Sequence, residues 1–233
     1  MRTLLIIPAY NEADGISELI ENLQTNYPQY DYIIINDGSK DNTKKLCQQK
    51  GYHILNLPFN LGIGGAVQTG YKYACENEYD YTVQIDGDGQ HDPAYIEEML
   101  DEMLKDKADI AIGSRFIQKK GFQSSKLRRT GISFLSMLIR ICTGKKIHDV
   151  TSGYRIANAK YSRIFAQDYS RDYPEPEAIV TAVAWGAKII EFPVEMKERK
   201  MGTSSISPVR SVYYMIKVTL AIIIRRISYG VRR

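Results

Sequence analysis

The sequence contains few cysteines and no secretory signal. Three cysteines, Cys47, Cys75 and Cys142, occur in 233 residues. Their odd number and wide spacing fit neither a disulfide framework nor a cysteine metal site, so they indicate a reducing compartment. The apolar start MRTLLIIPAY stops at Pro8 and lacks the succession of charged, apolar and cleavage regions that defines a signal peptide. We therefore expect a cytoplasmic protein.

Long apolar runs are also lacking. The most apolar segment, VTLAIII at 218–224, is bounded by Lys217 and Arg225, whereas a spanning helix needs roughly 20 apolar residues. The net charge is only +4, but acidic residues concentrate before residue 110 and basic residues gather at 115–129, 197–200 and 225–233. This distribution indicates an anionic partner at one end of the molecule.

Short β-branched runs alternate with stretches of helical spacing in the first half of the chain. The runs lie at 3–7, 32–35, 53–57, 81–85 and 109–112, and the helical stretches at 14–26, 41–50, 63–76 and 94–105. This alternation predicts an α/β fold with a mostly parallel, doubly wound sheet. After residue 113 we expect helices near 126–142 and 158–167, a helix ending near 185, the strand IIEFPV and a last helix. With no repeat or linker in between, the second half reads as an elaboration of one domain.

Four unusual segments follow the predicted strands. They are PAYNE at 8–12, NDGSKD at 36–41, NLGIGGA at 60–66 and DGDGQHDP at 86–93. The carboxyl ends of parallel strands share one crevice, so we expect these segments to converge on a ligand. NLGIGGA fits either a phosphate cradle or close packing of a helix, and Gly64 is given no direct role.

The aspartates of the fourth segment favour a divalent cation. Asp86 and Asp88 are two residues apart and point to one side of an extended chain. A hard cation and a bound diphosphate would offset their repulsion, and Gln90 adds a neutral oxygen. An isolated surface turn is the alternative, but the preceding apolar strand and the other three segments favour the metal site.

Together with GSRF (113–116), DVTSGYR (149–155) and EFPVEMKERKMGTSS (191–205), these segments resemble the family 2 glycosyltransferases of the GT-A fold. The likeness is greatest to the polyprenyl-phosphate sugar transferases related to dolichyl-phosphate mannose synthase, and it covers about residues 2–206. It implies a Rossmann-like GT-A domain over 1–206. Residues 207–233 depart from relatives that carry added membrane spans, and their apolar and basic residues predict an amphipathic, basic C-terminal helix.

The resemblance also implies the residues of a donor site. A nucleotide-sugar site would be formed by Pro8, Ala9, Tyr10, Glu12, Asp37, Asp86, Arg199 and Ser204. Within it, Asp37 corresponds to the acid that holds the base, while Arg199 and Ser204 belong to a basic loop that closes on the diphosphate. Mg²⁺ or Mn²⁺ would bind at Asp86, Asp88 and Gln90, with Asp88 and Gln90 as the closest ligands.

The acceptor side can be argued from chemistry as well. A polyprenyl phosphate is already anionic, so its attack requires cations that orient it more than a strong base, and arginine suits this task. The resemblance places Arg115, Arg129 and Ser133 at the acceptor phosphate, and the last two share a helical face. A lipid groove would be lined by Leu127, Phe134, Leu135 and Leu138. An ordinary amphipathic helix with solvated arginines is the alternative.

The implied catalytic residues are Asp88, Arg115 and Asp149. Asp149 is either a base or the ion-pair partner that orients Arg115 or Arg155. The PEPE segment at 174–177 caps a helix, and its Glu177 either faces the sugar hydroxyls or serves only in capping.

The implied activity is metal-dependent, inverting transfer of a sugar from a nucleotide diphosphate sugar, with a UDP-sugar favoured, to polyprenyl phosphate. In a bacterium the acceptor would be undecaprenyl phosphate, and the enzyme would be peripheral at the cytoplasmic face of the membrane. The last helix would lie in the membrane interface, contact a small membrane protein or pack into the core. Self-association into a homo-oligomer stays open, and nucleic acid is not expected as a partner. The alternatives are a family 2 enzyme that extends a glycan on a hydroxyl acceptor, and a catalytically silent subunit of a membrane assembly.

Overall fold

The computed structural model describes residues 1–118, 126–197 and 208–231. The described strands are β1 (Thr3–Ala9), β2 (Asp31–Asn36), β3 (Ile54–Asn56), β4 (Tyr81–Gln84), β5 (Ile110–Ser114), β6 (Arg155–Asn158) and β7 (Ile189–Pro193). The described helices are α1 (Ile16–Asn26), α2 (Thr43–Gln49), α3 (Ile63–Glu76), α4 (Tyr95–Lys105), α5 (Lys126–Thr143), α6 (Ala159–Gln167), α7 (Pro174–Ala184) and α8 (Pro208–Val231).

The strands form one seven-stranded sheet in the order β3-β2-β1-β4-β6-β5-β7. β6 runs antiparallel to β4 and β5, while the other neighbours are parallel. The predicted α/β class and mostly parallel sheet are therefore confirmed.

Helices cover both faces of this sheet. β1 is buried along its whole length, as expected for a strand with both faces covered. Its residues alternate between two apolar clusters: Leu4 and Ile6 pack with α3 and α5 to α8, and Leu5 and Ile7 pack with α1, α2 and α4. The sheet thus separates two apolar cores. The loops that follow the parallel strands lie at the edge formed by the carboxyl ends of those strands.

The sequence prediction missed β6. We expected a helix near 158–167 with no strand before it, whereas Arg155–Asn158 form a strand that leads directly into α6. Asn158 ends the strand and caps the helix, because its side chain accepts a hydrogen bond from the backbone N–H of Tyr161. Since β6 runs in reverse, the segment before it lies beside the residues that follow β4, with Gln84 paired to Arg155.

The last helix packs on α5 and α7. Val218 and Ile222 of α8 are buried in the core, and Arg225 donates hydrogen bonds to Asp168, Glu177 and Thr181. The inner face of α8 therefore belongs to the fold. Across the part of the chain that the structure describes, no helix combines the length and the hydropathy that crossing a membrane requires.

Candidate functional site

The segments after β1 and β2 are joined by hydrogen bonds. The backbone N–H of Asn11 donates to Ser39 Oγ at 2.9 Å, and that of Glu12 donates to Thr43 Oγ1 at 3.0 Å. In return, the side chain of Asn11 accepts a hydrogen bond from the N–H of Lys40 at 2.8 Å. These bonds hold the two loops together at the carboxyl edge of the sheet, with Tyr10 exposed between them.

Asp37 connects the second segment to the third. Its side chain is buried, and its two carboxylate oxygens accept hydrogen bonds from the backbone N–H groups of Leu61 at 2.6 Å and Gly62 at 2.9 Å. The carboxylate thereby fixes the loop that leads into α3. Its predicted contact with a nucleotide base stays a prediction.

Gly64 serves close packing. Its N–H donates to the carbonyl oxygen of Arg171 at 2.9 Å. A Cβ atom at this position would overlap the carbonyl oxygen of Ser170 and lie 2.6 Å from that of Arg171. Of the two interpretations of the glycine-rich segment, the structure favours close approach, although the approaching group is the backbone of the loop between α6 and α7.

The segment after β4 folds around His91. The backbone N–H of Asp86 donates to His91 Nδ1 at 3.0 Å, and His91 Nε2 lies 3.7 Å from Asp86 Oδ2. The ring stacks on Tyr154, with centroids 4.9 Å apart. Gly153 also lies close to Asp86, because a Cβ atom at Gly153 would be 3.4 Å from Asp86 Oδ1. The loop before β6 and the loop after β4 therefore form one wall of the cleft.

The first segment contacts this wall at Gly87. A Cβ atom at Gly87 would lie 3.3 Å from the carbonyl oxygen of Pro8 and 3.6 Å from Cγ of Glu12. Substitution here would push the loop after β4 away from PAYNE. The expected convergence of the four segments is thus present in the fold: the third contacts the second through Asp37, the second contacts the first, and the first contacts the fourth.

The residue types in the segment after β4 have the chemistry that a hard divalent cation prefers. The side chains of Asp86, Asp88 and Gln90 are all partly exposed, and Asp88 Oδ1 accepts a hydrogen bond from the N–H of Gln90 at 3.0 Å. Among the described residues, no group of three or more His, Cys, Asp or Glu side chains is arranged to hold a metal. Two carboxylates and one amide oxygen suit Mg²⁺ or Mn²⁺ that takes further oxygens from a diphosphate and water.

Arg115 and Asp149 form a buried, bidentate ion pair. Arg115 Nε and Nη2 each lie 2.7 Å from an oxygen of Asp149, and the backbone N–H of Arg115 donates to the same carboxylate at 3.1 Å. Asp149 has no exposed surface. Both of its oxygens are occupied, so the geometry favours orientation of Arg115 over action as a base. Arg155 instead donates to the backbone carbonyl groups of Val150, Ser152 and Glu175.

Glu191 anchors this pair. Its carboxylate accepts hydrogen bonds from the backbone N–H groups of His148 and Asp149, each at 2.8 Å. Glu191 was not among the predicted site residues. It lies in the strand IIEFPV, and nothing in the sequence marks its pairing with a loop 42 positions earlier.

The two glutamates of PEPE have different surroundings. Glu177 accepts hydrogen bonds from Ser170 Oγ at 2.6 Å and from Arg225 Nε at 3.0 Å, so it binds α8. Glu175, like Glu191, is a residue that the sequence analysis missed. Burial raises the pKa of its carboxyl group, Arg155 partly opposes that rise, and Asp86 adds to it. The alternating sequence gives no sign of which glutamate lies near Asp86.

α5 presents two of the predicted acceptor residues at the surface. Arg129, Ser133 and Phe134 are exposed. Leu135, proposed for a lipid groove, is instead buried in the core, and Leu138 packs against the same core. These two differ from the expectation because they lie on the inner face of the helix. The side chain of Leu127 is outside the described residues.

Arg199 and Ser204 also lie outside the described residues. Lys197, the last described residue before them, is bonded to the loop after β4. The backbone N–H of Lys197 donates to the carbonyl oxygen of Gln90 at 3.1 Å, and Lys197 Nζ lies 2.8 Å from Asp92.

Comparison with known proteins agrees with this geometry. The family model for glycosyl transferase family 2 matches residues 4–165. The undecaprenyl-phosphate mannosyltransferase of Micrococcus luteus is 30% identical over 216 residues, which cover 89% of this chain and 88% of that protein. The UDP-N-acetylglucosamine–dolichyl-phosphate N-acetylglucosaminyltransferase of Methanococcus voltae is 30% identical, covering 82% and 84%.

A solved structure shows the same fold. Glucosyl-3-phosphoglycerate synthase from Mycobacterium tuberculosis, in complex with Mn²⁺, UDP and glucosyl-3-phosphoglycerate, superposes with a TM-score of 0.71 at 17% identity. The match covers 97% of this chain and 79% of that one. The expected GT-A architecture is therefore confirmed.

Proposed function

The chain belongs to glycosyl transferase family 2, and from this membership we propose that it transfers a sugar from a nucleotide diphosphate sugar to polyprenyl phosphate. A UDP-sugar is the favoured donor. Support for the acceptor comes from relatives whose names specify undecaprenyl phosphate and dolichyl phosphate. Support for the donor comes from the Methanococcus voltae relative and from the UDP-bound structure of the same fold.

The observation that carries the proposal is the separation of two opposite charges along the sheet. Asp86 and Asp88 follow β4, and the buried Arg115 follows β5, with β6 between those strands. Two inter-strand spacings put the strand ends about 10 Å apart. A sugar with its diphosphate on one side and an attacking phosphate on the other fits such a span.

The chemistry follows from this arrangement. A divalent cation held by Asp86, Asp88 and Gln90 would neutralise charge on the leaving diphosphate. Arg115, locked by Asp149, orients an oxygen of the acceptor phosphate toward the anomeric carbon. That oxygen forms the new bond as the bond to the diphosphate breaks, which inverts the anomeric configuration. Because the attacking oxygen is already ionised, no side chain has to remove a proton.

The acceptor places the reaction at a membrane. We propose that the enzyme acts as a peripheral protein at the cytoplasmic face, where nucleotide sugars are available. Arg129 and Ser133, exposed on α5, would contact the acceptor phosphate beside Arg115.

Incubation of the purified protein with membranes, Mn²⁺ and a panel of labelled nucleotide sugars tests the proposal. We expect label from one donor, a UDP-sugar, to enter the organic phase in a form labile to mild acid. Chelation of divalent ions should stop the transfer, and added Mn²⁺ should restore it. Asp88→Asn should lower the rate by about 100-fold or more, whereas Asp101→Asn on the exposed side of α4 should not. Transfer that survives complete chelation, or label found only in a hydroxyl-linked glycan, would contradict the proposal.

A further inference from the structure

The outer face of α8 is a continuous apolar strip. Its members are Tyr213, Ile216, Leu220, Ile223, Ile224 and Ile227, which are 37% to 65% exposed. At 3.6 residues per turn they fall within an arc of about 100°. The opposite side of the helix carries the buried Val218 and Ile222. α8 therefore has two apolar faces: one is packed in the core, and the other, the strip, is exposed.

α5 carries a shorter strip of the same kind. Phe134, Met137 and Ile141 are 42%, 55% and 73% exposed, and their spacing of three and four residues places them on one side of the helix. The two helices touch, because a Cβ atom at Gly131 of α5 would lie 3.3 Å from Sδ of Met215 in α8. Together, apolar strips on neighbouring helices expose more contiguous apolar area than the single, scattered apolar residues of an ordinary soluble surface.

The charges of these helices indicate the occupant. α5 and α8 each contain four lysines or arginines and no aspartate or glutamate, although the whole chain has 27 acidic residues. Arg129 and Arg140 of α5 and Arg226 of α8 are exposed beside the strips. Two copies of this surface would bring like charges together, which disfavours self-association. Apolar strips with basic borders suit the interface of an anionic bilayer.

We propose that the exposed faces of α5 and α8 form the surface that docks this protein on an anionic lipid bilayer. The inference rests on the proposed function, since it names the partner from which the lipid acceptor is drawn. Arg129 and Ser133 precede the strip on the same helix. Docking through α5 would therefore bring these two residues to the level of the lipid phosphates.

Vesicle flotation of the full chain tests the surface without any nucleotide sugar. Vesicles of phosphatidylglycerol mixed with phosphatidylcholine should bind the wild-type protein, and pure phosphatidylcholine should bind it more weakly. The double variant Leu220→Glu/Ile224→Glu should lose about tenfold or more in partitioning, because two charges replace inserted apolar groups. Ile141→Glu should show a smaller loss in the same direction. Arg226→Gln should weaken binding only to the anionic vesicles.

Leu104→Glu is the matched control, since Leu104 is 46% exposed on α4, away from both strips. It should bind vesicles as the wild type does, and all variants should keep the wild-type melting temperature. Equal binding by the double variant would overturn the proposal. Failure of the wild type to bind, combined with a dimer that the double variant abolishes, would overturn it in favour of a second copy as the occupant.

An activity readout separates the two proposals. A short, water-soluble prenyl phosphate should be glycosylated equally by the wild type and the double variant, whereas transfer to vesicle-embedded polyprenyl phosphate should fall only in the variant. Vesicle binding without any transfer would contradict the proposed function and leave the docking surface standing. Equal transfer by both proteins to the embedded acceptor would contradict the docking surface alone.

Discussion

At the scale of single residues, the buried ion pair between Arg115 and Asp149 joins the residues after β5 to the loop before β6. Removal of one partner from a buried pair leaves an uncompensated charge, which typically costs about 3–5 kcal/mol. We expect Asp149→Ala to lower the free energy of unfolding by about this amount. Urea denaturation monitored by circular dichroism measures it, with Asp101→Ala as the exposed control.

The milder Asp149→Asn variant distinguishes the two roles considered for this residue. If Asp149 orients Arg115, the variant should lose stability and acceptor affinity together, as a raised KM for polyprenyl phosphate. A large fall in kcat at an unchanged unfolding midpoint would instead restore the interpretation as a base.

Asp41 makes stability depend on pH. Its carboxylate accepts hydrogen bonds from Thr43 N at 2.9 Å and Oγ1 at 2.6 Å, and from Ala13 N at 3.2 Å. Burial alone would raise the pKa of Asp41, but these hydrogen bonds outweigh burial and lower it. The ionised carboxylate of Asp41 therefore stabilises the folded protein fully above its unfolded-state pKa of about 4. This stabilisation is lost as the pH falls through the lower folded-state pKa.

Because Asp41 is exposed and solvent screens its interactions, we expect Asp41→Asn to be only about 0.5 kcal/mol less stable than the wild type at pH 7. The difference should shrink as the pH falls below about 4, because the unfolded wild-type chain then takes up a proton at Asp41 more readily than the folded protein does. Melting curves of both proteins from pH 3 to pH 7 provide the measurement. A difference that stays constant across this range would show that the charge of Asp41 plays no part.

At the scale of elements, the first half of the chain could be predicted closely, because most of its strands are β-branched runs and most of its helices have a periodic apolar face. β6 could not. Its four residues, Arg155–Asn158, are too short for periodicity, and their place in the sheet depends on pairing with β4 and β5, far away in sequence. Likewise, nothing local distinguishes Leu135, buried in the core, from Phe134, exposed beside it.

Gly64 tests how α3 meets the loop between α6 and α7. Gly64→Ala should force the backbone at 170–171 away, and overpacking of this kind costs about 1–3 kcal/mol. Gly230→Ala in α8 is the control, because a Cβ atom there meets nothing within 4 Å. Thermal unfolding should show a lower midpoint than the wild type for Gly64→Ala and no lowering of the midpoint for Gly230→Ala. Equal midpoints for Gly64→Ala and the wild type would mean that the loop moves aside without cost.

At the scale of the whole molecule, the sequence predicts the fold class and the convergence of the loops on one edge. It does not predict the connections that fix the site. Asp37 to Leu61, Asp149 to Glu191 and Glu177 to Arg225 all join residues at least 24 positions apart. Such pairs are set by the tertiary arrangement, and a single sequence carries no record of them.

The position of α8 predicts what its removal would do. Sequence reasoning divided the chain into 1–206 and 207–233, yet α8 fills the core and holds Glu177 through Arg225. Ending the chain at residue 207 should cost about 3 kcal/mol or more, from the loss of two buried aliphatic side chains. Denaturant unfolding and binding of a hydrophobic dye measure the effect. The full-length Leu220→Glu/Ile224→Glu variant is the control, and unchanged stability of the shortened chain would support a separate domain.

The reversed strand has a consequence for how the protein is synthesised. β5 leaves the ribosome about 40 residues before β6, yet β6 occupies the position next to β4. Until then β4 offers an open edge, and β5, joined to it by a single helix, is the partner that the usual right-handed crossover would deliver. During synthesis, β5 must therefore either remain unpaired with β4 or separate from it again. Only then can β6 insert between the two strands and complete the cleft.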